Sequence, residues 1–417
     1  MAMKNRSIAQ SISKQHAWKS GRIIVLTGAR QTGKTTLVRQ LYPDYKYLSI
    51  EDPVLRSQYS SFTAAQWKSL YPKAILDEVQ KEPVLIESIK SVYDQWPETK
   101  YILLGSSQLL LLEKVKESLA GRCIIIETFP LTVPELRTSS WDENIDLSIF
   151  QEMIQNEEIP MILPSFTLDE KMAYKQKAWD HYVQFGGYPA VSDETMSDEE
   201  KYEWLRNYVK TYLERDIRDL ASFRDLDPFI KLQQYLAENT ASLVNASAIA
   251  TRIGLSTKTV QRYFRYFELS YQSITLPAWS NNPGKRLAKM PKVHYLDNGV
   301  IQAVIQKRGG VTGSEFESLV IAEIYKQMKV LQSQGKLYHL RTHDGKEVDL
   351  IIETSDYFYA IEIKKTDNVS SADAKNLKDL EKILNKPLKK AFILSNDLNT
   401  KTMGENIIAV NAAMFLG

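Results

Sequence analysis

One stretch, Gly28-Ala29-Arg30-Gln31-Thr32-Gly33-Lys34-Thr35, constrains this chain more than any other. It follows the apolar run Ile23-Ile24-Val25-Leu26 and precedes the helix-compatible segment Thr36 to Leu41. Strand, glycine loop, lysine-threonine and helix is the setting of a P-loop. Two glycines let backbone amides turn inward around a phosphate where a Cβ would intrude. Lys34 then reaches the β- and γ-phosphates, Thr35 ligates magnesium, and the helix N-terminus faces the negative charge. The expected nucleotide cradle is therefore Gly28, Ala29, Arg30, Gln31, Thr32, Gly33, Lys34, Thr35 and Thr36, with ATP and Mg2+ as ligands.

The apolar strand Ala74-Ile75-Leu76 ends in Asp77-Glu78. An acid pair there suits a Walker B element, with Asp77 holding the magnesium shell and Glu78 polarising the attacking water. Glu78 favours hydrolysis over small-molecule phosphorylation, which activates a substrate hydroxyl instead. A further strand, Tyr101-Ile102-Leu103-Leu104, ends in Gly105-Ser106-Ser107-Gln108 and is expected between the two Walker strands. Ser106 or Ser107 then acts as a γ-phosphate sensor or as a helix N-cap. Arg122, in Ser118-Leu119-Ala120-Gly121-Arg122, either complements a helix dipole or offers a positive charge to the transferred phosphoryl, from its own subunit or a neighbouring one.

Composition places the rest. The chain of 417 residues has room for two to four domains, and 43% hydrophobic with 25% charged residues is ordinary for a globular protein. A net charge of +2 means that any nucleic-acid surface is local. The single Cys123, in an apolar run, is expected in the core, and one cysteine with five histidines argues against structural zinc. Without an apolar stretch of about 18 residues or a signal-peptide pattern, the expectation is a cytoplasmic protein with no membrane role.

The series GARQTGKT, ILDEVQ, LLGSSQ and SLAGR, followed by Phe129-Pro130-Leu131-Thr132-Val133-Pro134-Glu135-Leu136, resembles a family of prokaryotic AAA-type ATPases with a C-terminal domain of unknown function. Phe185-Gly186-Gly187-Tyr188-Pro189 and Tyr208 to Ile217 fit the same resemblance, which spans nearly the whole chain. It implies ATP binding and hydrolysis and leaves the biological process open; a homo-oligomer is compatible with it. Residues 138–170 are acidic and irregular and read as a surface insertion. Residues 171–240 read as helical, with Arg215 and Arg218 either in surface ion pairs or near a nucleotide.

Residues 243–280 have the shape of a winged helix-turn-helix: Ala246 to Ile253, the turn Gly254-Leu255-Ser256, and a recognition helix from Thr257 to Phe267. Val260, Phe264 and Phe267 are its expected core face. Lys258, Gln261, Arg262 and Arg265 point outward and, with the basic segment 285–292, form a candidate DNA surface. The competing reading is a module that packs against other parts of the protein.

The last hundred residues carry a second constellation. Asp349 lies on the strand Lys346 to Ile352, and Glu362 and Lys364 alternate with Ile361 and Ile363 on Tyr359 to Lys364. Asp followed by Glu-x-Lys on paired strands resembles the PD-(D/E)xK nuclease superfamily. The resemblance implies Asp349 and Glu362 as metal ligands, Lys364 as the residue orienting water, and Glu317 on the preceding helix as a further metal carboxylate. The competing reading is a docking domain whose acids pair with lysines.

The expected architecture is thus α/β: a P-loop AAA-type ATPase core at 1–137, an insertion and helical connector at 138–240, a winged helix-turn-helix at 241–300, and a restriction-endonuclease-like α/β domain at 301–417. Two functions follow. In one, an ATP-hydrolysing switch or motor acts on nucleic acid and gates a metal-dependent nuclease. In the other, ATP controls a DNA- or protein-binding regulator whose C-terminal domain does not cut.

Overall fold

The computed structural model describes residues 3–105, 115, 117–156, 171–213, 226–282, 284, 286 and 289–417. Ser106, Ser107, Arg215, Arg218 and Lys285 lie outside the described residues.

The first unit starts with helix α1 (Ile8–His16) and strand β1 (Ile23–Gly28), followed by α2 (Lys34–Leu41), β2 (Lys46–Ser49), β3 (Lys73–Asp77), α3 (Val84–Gln95), β4 (Lys100–Leu104) and β5 (Cys123–Thr128). The strands form one parallel sheet in the order β2-β3-β4-β1-β5. Strand β4 therefore separates β1, which feeds the glycine loop, from β3, which ends in Asp77. Alternation sorts the core: Ile23 and Val25 face Leu76 and Ile89, while Ile24 and Leu26 face Ile8, Ile12 and Leu37. Helix α1 thus packs on a face of the sheet, not merely along its edge. Cys123 is half-buried, less enclosed than its apolar neighbours suggested.

The connector contributes α4 (Ile149–Asn156), α5 (Met172–Phe185), α6 (Asp198–Tyr208) and α7 (Asp227–Glu238). Helix α4 corrects the surface-insertion reading for the described part of that stretch, 138–156; residues 157–170 lie outside the described residues. Its Phe150 and Met153 are fully buried, with Phe150 6.0 Å from Phe415 at the far end of the chain. The acidic residues around it hid this apolar stripe.

Strand β6 (Ser242–Leu243), helices α8 (Ala246–Ile253) and α9 (Thr257–Leu269), and strands β7 (Ser273–Leu276) and β8 (Lys292–Tyr295) follow, with the three strands in the antiparallel order β6-β8-β7. Asn245 caps α8 through the amides of Ser247 and Ala248, Gly254 turns the chain at φ 72°, and Ser256 caps α9 through the Thr259 amide. Val260, Tyr263 and Phe267 form the buried face of α9; Tyr263 takes the place expected for Phe264, which is half-buried.

The C-terminal unit has α10 (Asn298–Val304), α11 (Gly313–Val330), β9 (Lys336–Arg341), β10 (Glu347–Glu353), β11 (Phe358–Lys364), β12 (Leu388–Ser395), β13 (Lys401–Gly404), β14 (Ile407–Asn411) and α12 (Ala412–Leu416). Its mixed sheet runs β13-β14-β12-β11-β10-β9. Leu350, Ile352 and Ile361 pack with Leu319 and Val320 of α11, while Val348, Phe358 and Ala360 pack with Leu377 and Leu380. With both faces covered, Asp349 and Glu362 of this sheet are buried, whereas Glu347 and Glu353 near its ends are partly exposed. Among the described residues, no helix is long and apolar enough to cross a membrane.

Candidate functional site

The glycine loop takes the form its sequence demands. Gly28 has φ 145°, and a Cβ there would lie 2.2 Å from the Thr128 carbonyl oxygen; Gly33 has φ 82° and precedes α2 without a side-chain cap. The first amides of α2 are thereby left for an anion. Lys34 Nζ donates to the Gly28 and Ala29 carbonyls at 2.8 and 2.7 Å, folded back along the loop that a phosphate would fill. Thr35 Oγ1 donates to Asp77 Oδ2 at 2.7 Å, and Tyr47 donates to the same oxygen at 2.8 Å. Two residues far apart in sequence, one from each Walker element, therefore meet at the expected magnesium position. Ala29 and Thr32 are buried and Arg30 is half-buried, whereas Thr36 is exposed, as is Gln31 at φ 62°. Glu78 also adopts a left-handed backbone, φ 58°, which costs a non-glycine residue on the order of 1 kcal/mol, and its carboxylate accepts from Gln80 Nε2.

The sequence reading missed Arg6. Its guanidinium donates to Thr32 O and Phe129 O at 2.7 Å each and pairs with Glu135 at 3.3 Å, so it ties the loop to the segment that follows β5. A cavity of about 160 Å3 opens beside it, lined by Met3, Arg6, Gly33, Thr36, Leu131 and Pro189. A lone arginine in a polar N-terminal segment carries no sequence signal for this role. The connector also reaches the loop: the Tyr208 hydroxyl lies 3.3 Å from Arg30 O.

Arg122 requires a correction. In the parallel register Cys123 pairs with Ile23 and Thr128 with Gly28, so Arg122 lies at the opposite end of the sheet from the phosphate loop. It pairs with Asp94 at 2.7 Å. Within its own chain it cannot reach a phosphoryl group bound at Lys34.

The second constellation lies where the C-terminal sheet meets the three-stranded sheet. Leu350 pairs with Ile361, and continuing that register sets Asp349 opposite Glu362. The β9–β10 pairing shifts between Val348 and Ile351, around Asp349, an irregularity that re-aims a side chain. Asp349 Oδ2 accepts from the Ile363 amide at 2.9 Å, and Lys364 pairs with Glu362 at 2.7 Å. Lys292 of β8 enters the same cluster. Its Nζ lies 2.9 Å from Glu317, 2.9 Å from Glu347 and 3.6 Å from Asp349, and the residue is 4% exposed.

Electrostatics follow from this crowding. Burial, reinforced by Asp349, pushes Glu317 up to about 8 and Glu362 up to about 7; burial also raises Asp349. Burial works against the charge of Lys292, yet Glu317 and Asp349 hold its pKa above the ordinary lysine value.

Two expectations are corrected here. Among the described residues, no group of three or more His, Cys, Asp or Glu side chains is arranged to hold a metal ion, so Glu317, Asp349 and Glu362 do not form the expected three-carboxylate site. The lysines explain this, because Lys292 stands among Glu317, Glu347 and Asp349 while Lys364 engages Glu362. In the basic segment 285–292, Arg286 and Lys292 are also engaged inside the protein, while Lys285 lies outside the described residues. Lys292 is buried, Arg286 bonds the Tyr338 hydroxyl at 3.1 Å and Glu353 at 3.3 Å, and Lys289 donates to Arg341 O at 3.1 Å. By contrast Lys258, Gln261, Arg262 and Arg265 are all exposed on α9.

The P-loop, the Thr35–Asp77 contact and the strand order define an AAA-type ATPase domain. Residues 20–137 match the family model described as an AAA domain. Residues 176–309 and 312–415 match two domains of unknown function, DUF8612 and DUF4143. An uncharacterized protein of Mycobacterium tuberculosis is 26% identical over 360 residues, which cover 84% of this chain and 71% of that protein. An uncharacterized protein of Methanocaldococcus jannaschii is 25% identical over 332 residues, covering 73% and 67%. Among solved structures, a Walker-type ATPase of Pyrococcus abyssi aligns with a TM-score of 0.45 at 12% identity, over 73% of this chain and 98% of that one. Domain III of the Thermotoga maritima replication initiation protein DnaA aligns with a TM-score of 0.25 at 14% identity, over 48% and 90%.

Proposed function

We propose that this chain is an ATP-hydrolysing switch that acts on nucleic acid. The observation that carries the ATPase part is the 2.7 Å hydrogen bond from Thr35 to Asp77 beside Lys34. With nucleotide bound, Gly28 to Thr36 would cradle the phosphates, Thr35 and Asp77 would hold Mg2+, and Glu78 would orient the attacking water. The 160 Å3 cavity beside Gly33 and Thr36 is where base or ribose would fit.

The nucleic-acid part rests on α9. Helix, strand, helix, turn, helix and two strands is the element order of a winged helix, and the exposed Lys258, Gln261, Arg262 and Arg265 are spaced to meet a DNA groove and its phosphates. Anisotropy titration of labelled duplex DNA at several salt concentrations tests it. The double variant Lys258→Glu/Arg262→Glu weakens binding at least tenfold and lowers the salt slope by about 2. Equal binding by wild type and variant rejects this surface.

For the C-terminal unit a second reading is favoured by one observation. Its sheet carries the Asp349, Glu362 and Lys364 pattern of a nuclease-like fold, but Lys292 fills the carboxylate cluster. The domain in this arrangement docks and does not cut.

A further inference from the structure

We propose that Lys292 is an internal cation that competes with a divalent metal ion for the Glu317, Glu347 and Asp349 carboxylates, and that docking of the three-stranded sheet keeps the C-terminal domain metal-free. The inference rests on the nuclease-like reading of that domain, though not on cleavage.

Lys292 belongs to the unit that carries α9, not to the C-terminal sheet: it pairs with Leu276 of β7 and Leu243 of β6. Its ammonium reaches Glu317 on α11 and both Glu347 and Asp349 on β10. The ammonium engages Glu317 and Glu347 at 2.9 Å each and lies 3.6 Å from Asp349, N–O separations longer than the roughly 2.0–2.6 Å that Mg2+ or Ca2+ requires. The ammonium therefore offsets part of the negative charge of these acids from the place a divalent ion would take. The cluster still has unmet acceptor capacity. Glu362 is 3% exposed, and its Oε2 is buried without a hydrogen-bond partner among the described residues.

The link that delivers Lys292 is tied to the C-terminal sheet at several described residues. Trp279 N donates to His339 O at 2.7 Å, His339 N donates to Pro277 O at 3.0 Å, and Arg286 reaches Tyr338 and Glu353. Movement of this link away from β9 would withdraw Lys292 with it. The carboxylates would then be uncompensated, and a divalent cation is the ligand that answers buried, clustered acids. A rearrangement of the helix-turn-helix unit is thus tied to the state of the C-terminal site by one side chain.

The test titrates the nucleotide-free full chain with Mn2+ alone, read by calorimetry and by electron paramagnetic resonance of free Mn2+. Lys292→Met gains one Mn2+ site with a Kd at least tenfold below that of the wild type, and Lys292→Met/Asp349→Asn loses it. Equal Mn2+ binding by wild type and Lys292→Met overturns the proposal, as does a folded Lys292→Met that binds none. If Lys292→Met fails to fold, Lys292→Met/Glu347→Gln removes one cation and one anion together and carries the same test. A variant that binds Mn2+ through Asp349 without nicking DNA supports the competition and rejects only the nuclease reading.

Discussion

The hydroxyl of Tyr271 lies 3.0 Å from Thr27 Oγ1, which joins the turn after α9 to the last residue before the phosphate loop. The same hydroxyl donates to Glu127 on β5 at 3.2 Å. Tyr271 is buried, and its backbone is left-handed at φ 57°, so the contact is held from both sides. It gives the nucleotide site a short, direct route to the helix with the exposed cations.

Tyr271→Phe removes this hydroxyl and little else. Unfolding in urea is expected to show a loss of about 1 kcal/mol, the net worth of a buried hydrogen bond. Hydrogen exchange in 257–270 is expected to respond to ATP in the wild type and to respond less in the variant. An identical response in both would mean that the two sites are joined elsewhere.

Lys326 is the corresponding tie between the ATPase unit and α11. It pairs with Glu323 at 2.9 Å, with both side chains 0% exposed, and donates to Leu131 O at 3.1 Å; Glu323 accepts from the Val133 amide at 2.7 Å. Lys326→Met leaves Glu323 buried without its counter-ion and is expected to cost about 3–5 kcal/mol. Lys326→Met/Glu323→Gln recovers part of that loss. Thermal unfolding of the two variants side by side is the measurement.

How much of this was legible in the sequence depended on distance along the chain. The P-loop is contiguous, and its strand-loop-helix setting is local, so Gly28 to Thr36 could be read directly. Asp77 was legible because an acid ending an apolar strand is also a local pattern. The position of Arg122 was not, since it depends on the parallel register of β5 with β1. Lys292 was misread for a similar reason. Among four cations in a short segment it looked like part of a basic surface, and only the fold shows that β8 points it between Glu317 and Asp349. Glu347, two residues before Asp349 on one strand face, offered a signal that the nuclease-like pattern overshadowed.

His16 gives a pH signature. It lies between the Gly21 carbonyl at 2.6 Å and the Tyr45 hydroxyl at 2.9 Å, and burial, with Lys100 and Lys73 nearby, lowers its pKa from 6.5 to about 4. The unfolded chain therefore binds the proton more readily between these values, and the contribution of neutral His16 is lost as pH falls. The stability advantage of wild type over His16→Asn is expected to shrink by about 2 kcal/mol between neutral pH and pH ~4. A pH-independent difference would show that His16 is not held neutral.

The central claim is that Lys34, Thr35, Asp77 and Glu78 run ATP hydrolysis and that DNA is felt at that site. It is tested most directly by ATP turnover in Mg2+ for wild type and Glu78→Gln, with and without duplex DNA. The account predicts wild-type turnover that DNA raises, and a fall of at least about 100-fold in Glu78→Gln with ATP still bound. Turnover undiminished in Glu78→Gln, or a wild type that fails to bind ATP, would contradict it.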